Sequence, residues 1–196
     1  MVEAIIFNSK SKNYYLLSNF YGGVEIAYMK SRFQNPEILQ LFDEINTCNV
    51  EKFIYYLKIL QPEKKWSDKQ LNYWIKTNSD GTKEPIRGIL AKLIGSCVKD
   101  TSTGKKRLKI IKNLLQIDGE IKINKELNLN EKKDFMLQCL KQKYSSEPYK
   151  SLLLSTGNKK IHEKPMRGSG DLWTYPGNNL LGTLLEKVRD EYISKN

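Results

Sequence analysis

Histidine is almost missing from this chain: His162 is the only one in 196 residues. That excludes a zinc set built on paired histidines. The three cysteines, Cys48, Cys97 and Cys139, are widely spaced and form no C-x-x-C pair that could replace it. An odd number of scattered thiols also argues against a disulfide scaffold and suits buried free cysteines in a reducing compartment. No apolar run is long enough to span a bilayer. The first residues lack the basic-then-apolar pattern and small-residue cleavage site of an export signal. The expectation is a soluble, intracellular, cytoplasmic chain with no membrane partner, no metal and no cofactor. Acidic residues are the minority, 22 against 33 Lys and Arg, for a net charge of +11. A nucleic acid, a phosphorylated small ligand and a merely lysine-rich surface are all compatible with that balance. What the chain does have is 39% hydrophobic and 10% aromatic residues, enough for the core of one compact domain.

Hydrophobic spacing predicts a mainly α fold, of α+β type, with a small N-terminal β element. Residues 2–8 and 13–17 are short and rich in β-branched and aromatic types, and polar Ser9 to Lys12 joins them as a hairpin. Ser18 to Gly23 is a loop. Glu25 to Phe33 reads as helix, with Glu25, Tyr28, Met29 and Arg32 on one face and Lys30 turned away. Asn35-Pro36 opens an amphipathic helix and Asn49 caps the next. Ser67 and Gln70 form a capping box. Ser79-Asp80-Gly81 is a turn, and Pro85 starts a further helix. Lys105, Lys106, Arg107, Lys109 and Lys112, interleaved with Leu108 and Ile111, make a basic amphipathic helix. It would either grip phosphates or present a solvated lysine face. Residues 117–123 read as a turn and short strand. Asn130 caps another helix, Ser146-Glu147-Pro148 begins one that ends at Gly157, and 158–170 is loop.

The stretch from Trp173 to Arg189 is the most pointed. A turn at Tyr175-Pro176-Gly177 leads to Asn178 or Asn179 as N-cap. Leu181, Leu184, Leu185, Val188 and Tyr192 then recur at helical spacing. Uncapped N–H groups at that helix start, with Trp173 upstream as a stacking surface, would suit a flat anionic ligand; from the residues alone a plainly capped helix is the default reading.

Three segments together resemble one family, the NADAR or YbiA-like N-glycosidases. They are L-S-N-F at Leu17 to Phe20 and E-I-A-Y-M-K-S-R-F from Glu25, similar to the family's E-H-x-Y-Q-x-x-K-F. The third runs from Phe135-Met136 through L-L-S-T-G-x-x-x-I-x-E (Leu153 to Glu163) and Trp173 to G-N-N-L-L-G-x-L-L-x-x-V-R. The resemblance covers roughly residues 5–60 and 130–193, leaving about 62–130 as an elaboration on one YbiA-like domain, 1–196. It implies hydrolysis of the C1–N bond between a phosphorylated ribose and a nucleobase-type amine. The substrate would be a ribosylaminopyrimidine phosphate, or ADP-ribose on guanine in nucleic acid. Such cleavage needs stabilisation of positive character at C1 and a proton for the departing nitrogen. The resemblance assigns the catalytic carboxylate to Glu25. Arg32 falls at the family's lysine position, and Ser18, Asn19, Phe20, Tyr28, Trp173, Asn178, Asn179 and Gly182 form the substrate-binding set. It also marks departures: Ile26 replaces histidine, Met29 replaces glutamine, and Thr174 follows the tryptophan. A lysine at position 32 could attack an opened ribose C1 and form an imine. The guanidinium of Arg32 stays protonated and cannot, though it can hold a phosphate. A non-catalytic ADP-ribose- or NAD-binding module and a basic nucleic-acid-binding protein are the alternatives.

Overall fold

The computed structural model describes residues 4–8, 11, 13–78, 80–165 and 170–194. In chain order its elements are β1 (Ala4–Phe7), α1 (Val24–Lys30), α2 (Pro36–Thr47), α3 (Val50–Ile59), α4 (Asp68–Asn72), β2 (Ile75–Thr77) and β3 (Lys83–Pro85). Then come α5 (Gly88–Gly95), α6 (Ser102–Leu115), α7 (Leu129–Lys143), α8 (Tyr149–Leu154), β4 (Lys160–Glu163) and α9 (Leu180–Ile193). Helix therefore dominates and the β content is two small sheets, as expected for a mainly α, α+β chain. No helix among the described residues is long and apolar enough to cross a membrane. Packing divides the chain into two compact units, one made of residues 1–24 and 127–196, the other of 25–126. The elaboration expected at about 62–130 falls almost entirely in the second unit.

In the first unit, β1 and β4 form a parallel pair with Ala4 opposite Lys160 and Phe7 opposite Glu163. Lys164 N–H extends the ladder to the Phe7 carbonyl at 2.7 Å. The expected hairpin of 2–8 with 13–17 is therefore incorrect: 15–17 forms a 3-10 turn, and the partner of β1 comes from the stretch expected to be loop. Parallel strands need a long crossover, which no local pattern announces. Helix α9 packs on β4 and on α7, burying Leu181, Leu184, Leu185 and Val188. Asn128, not Asn130, caps α7. Its Oδ1 accepts from Glu131 N–H at 3.0 Å, and the Glu131 carboxylate in turn accepts from Asn128 N–H at 2.7 Å.

The second unit is built on α2, α3, α5 and α6 around Phe42, Phe53, Leu57, Leu90, Ile94 and Ile111. Asn49 and Ser67 cap α3 and α4 as their sequences predict. Pro85 ends β3 instead of starting a helix. The β2–β3 hairpin places it opposite Ile75, and α5 begins at Gly88. Ile123 makes a single antiparallel bridge to Phe33, all that forms of the strand expected at 117–123. Val2 and Glu3 of the expected first strand, Ser9, Lys10 and Lys12 of its turn, Ser79, and 166–169 lie outside the described residues.

Candidate functional site

In the first unit the Leu17–Phe20 loop is held by side chains from α7 and β4. Ser18 Oγ donates to Glu163 Oε1 at 3.2 Å and accepts from Phe20 N–H at 3.4 Å. Lys143, at the C-terminal end of α7, is only 4% exposed, and its Nζ donates to the carbonyls of Leu16 at 2.6 Å and Ser18 at 2.9 Å. Tyr144 OH reaches the intervening Leu17 carbonyl at 3.3 Å. Burial pulls the Lys143 pKa down to about 7, with the Glu163 carboxylate acting in the opposite direction. Burial, with help from the same carboxylate, pushes the Tyr144 phenol well above its ordinary value.

Asn19 sits inside this arrangement, 8% exposed. Its Nδ2 donates to Met136 Sδ at 3.4 Å, and its Oδ1 meets no donor among the described residues. Phe20 is half-buried at the loop's end. Neither Lys143 nor Glu163 was among the residues expected at the site. Glu163 lies in the motif that carries the resemblance. Lys143 had one signal of its own, falling at helical spacing from Met136 and Leu140 on the apolar face of α7.

The start of α9 differs from expectation. Asn179 is the residue before the helix, but its φ of 51° is left-handed and its side chain makes no cap. Instead Nδ2 donates to the Ile161 carbonyl at 2.8 Å, and Oδ1 accepts from Glu163 N–H at 3.3 Å, so the amide tethers α9 to β4. A Cβ on Gly182 would collide with the Ile161 carbonyl, so this glycine admits a strand at close range. The N–H groups of Leu180 and Leu181 donate to the carbonyls of Leu172 and Trp173 at 3.1 and 3.2 Å. The expectation of uncapped donors there is corrected: the turn before the helix supplies their acceptors. That turn is organised by Asp171, whose Oδ1 accepts from Trp173 N–H at 2.9 Å and Thr174 N–H at 3.0 Å. Trp173 is half-buried, Asn178 is exposed, and Tyr175 stacks on His162 with centroids 4.3 Å apart.

In the second unit, Glu25 lies in the first turn of α1 and is 5% exposed. Burial raises its carboxyl above the ordinary glutamate value, against a lowering influence of Lys92. Tyr28 is half-buried on the same helix, and its carbonyl accepts from Ser31 Oγ at 2.8 Å. The expected shared helical face does not extend to Arg32. α1 stops at Lys30, and Arg32 sits in the following turn, its carbonyl accepting from Asn124 N–H at 2.9 Å. Arg32 also lowers the Cys97 thiol, which burial nonetheless pushes up to about 11. Ile26, where the family has histidine, is a core residue of this unit. Lys30 pairs with Asp43 at 2.5 Å. On α6, Lys105, Lys106 and Lys109 are exposed, while Arg107 turns inward and its Nη1 donates to Ser96 Oγ at 2.6 Å. A cleft of about 370 Å³ runs along that helix, lined by Cys97, Lys105, Leu108, Lys112, Ile121 and Ile123 among others.

Within the first unit the structure thus brings Ser18 and Asn179 to Glu163, while the Asn19 side chain meets Met136. Asn178 and Gly182 bind no part of that cluster. All three cysteines are free thiols, two of them buried. Comparison of the chain with protein-family models, with curated proteins and with solved structures found no match.

Proposed function

We propose that this chain is an N-glycosidase of the YbiA-like type. It hydrolyses the C1–N bond between a phosphorylated ribose and a nucleobase-type amine, with Glu25 as the acid. One observation carries the reading: a glutamate at the motif position is buried, and burial holds its proton more tightly than in water. A carboxylic acid that holds its proton more tightly than in water is suited to protonating a departing heterocyclic nitrogen. Once ionised, the same group stabilises positive character at C1. In the first unit, Ser18 and Asn19 of the L-S-N-F loop carry hydrogen-bonding groups of the kind a sugar or base takes. Water is the second substrate. Its oxygen bonds to C1 as the C1–N bond breaks, the leaving nitrogen takes the proton from Glu25, and the proton released by the water returns to the Glu25 carboxylate.

The test is incubation with ribosylaminopyrimidine phosphates and with DNA carrying ADP-ribosylated guanine, reading free base and sugar. Release by the wild type and none above background by Glu25→Gln is the expected result. Equal release by the two proteins removes Glu25 from the chemistry. A second reading, a non-catalytic ADP-ribose-binding module, draws on Arg32: the position that would need a nucleophilic amine holds a permanent cation outside the helix. Calorimetric binding of ADP-ribose without turnover of either substrate would favour it.

A further inference from the structure

We infer that Lys143 is the positioning residue of the Leu17–Phe20 loop, holding Asn19 so that its Oδ1 faces a ligand N–H donor. Three independent features meet here. The Lys143 amine donates to the carbonyls of Leu16 and Ser18, which bracket Leu17 and lie directly before Asn19. The loop is moulded to the lysine stem: a Cβ on Gly22 would stand 2.8 Å from Lys143 Cγ and Cδ, and the glycine's φ of +66° already disfavours any side chain. The contact with sulfur orients the Asn19 amide. Its Nδ2 donates to the Met136 sulfur, and a flipped amide would place oxygen against sulfur with no proton between them. That leaves Oδ1, in a side chain 8% exposed, as an acceptor with no donor among the described residues. A buried acceptor left unsatisfied is costly, and it favours a ligand that brings the missing proton. The exocyclic amine or ring N–H of a flat heterocycle fits that requirement. The identity of the ligand rests on the glycosidase reading; the positioning of the loop does not.

The test is a double-mutant cycle on the full chain with Lys143→Met and Asn19→Ala, in two measurements. The first is hydrogen exchange of the peptide covering 13–24. Lys143→Met is expected to exchange faster there while α9 keeps wild-type protection; unchanged exchange of the loop overturns the inference. The second is KM and kcat for ribosylaminopyrimidine phosphate. Each single variant is expected to raise KM about tenfold, the scale of one hydrogen bond, and to leave kcat closer to wild type. The double variant should be no worse than either single one. Unchanged KM, or losses that multiply in the double variant, would reduce Lys143 to a merely structural lysine and overturn the assignment. If the wild type turns over neither substrate, the proposed function fails, and the exchange result alone decides whether Lys143 fixes the loop.

Discussion

Replacing Lys143 by methionine should change how stability depends on pH, in a direction the burial of this amine dictates. In the unfolded chain a lysine keeps its proton up to the ordinary 10.5, whereas in the folded protein burial lowers the value to about 7. Between those two limits the unfolded state binds the extra proton, so stability rises with pH, by about 1.4 kcal/mol per pH unit. Over the whole window the gain is roughly 5 kcal/mol, and below pH 7 this group adds no further change. Methionine fills a similar volume but does not titrate. It also removes the donors to the carbonyls of Leu16 and Ser18, a loss of about 1–3 kcal/mol for each buried acceptor. At pH 7 the two effects are of similar size, and the variant should lie within a few kcal/mol of wild type. By pH 9.5 wild type should have pulled ahead by about a further 3 kcal/mol. A neutral amine keeps two N–H donors, enough for both carbonyls, so the loop bonds survive deprotonation. Urea denaturation of both proteins at half-unit intervals from pH 6 to 9.5 measures this. The raised cysteine thiols are common to both proteins and cancel in the difference. Parallel curves would refute the buried-amine account.

Glu25→Gln should be the more stable protein at neutral pH. The folded carboxyl holds its proton above the ordinary 4.5, so wild-type stability falls as pH rises from there, and glutamine escapes that loss. Denaturation at pH 4 and pH 7 should show the gap widening; an equal gap at both would contradict it. Arg189 is 4% exposed and its Nη1 donates to the Lys159 carbonyl at 2.7 Å and Thr156 Oγ1 at 3.2 Å. Arg189→Ala should cost about 2–4 kcal/mol by leaving the Lys159 carbonyl and Thr156 hydroxyl without their donor, read as a lower urea midpoint. Gly182→Ala should cost about 1–3 kcal/mol because its methyl meets the Ile161 carbonyl, and an unchanged melting temperature would refute the close approach.

Local chemistry made the helices of the second unit readable. Asn49, Ser67 and Pro36 each act through the next three or four residues, and the apolar periodicity of α2 and α3 faces a core those residues build themselves. The same holds for α9, whose buried face follows its leucine spacing. What escaped depends on distant partners. β1 is a strand because β4 lies beside it, from the far end of the chain. Asn179 looks like a cap by type, yet its amide is drawn to Ile161 and Glu163. Lys143 shares the apolar spacing of α7, but its role depends on the carbonyls of Leu16 and Ser18, far away in the chain. Of the expected site, Glu25 and Asn19 sit where burial gives them unusual chemistry, while Asn179 and Gly182 join strand to helix.

Turnover by Glu25→Gln beside wild type tests the central claim most directly, with ribosylaminopyrimidine phosphate and ADP-ribosylated DNA as substrates at pH 7. Free base and ribose phosphate or ADP-ribose from the wild type, with release by the variant reduced at least a hundredfold, is the result expected when a general acid is removed. Equal release by the two proteins, or none by the wild type, would contradict it.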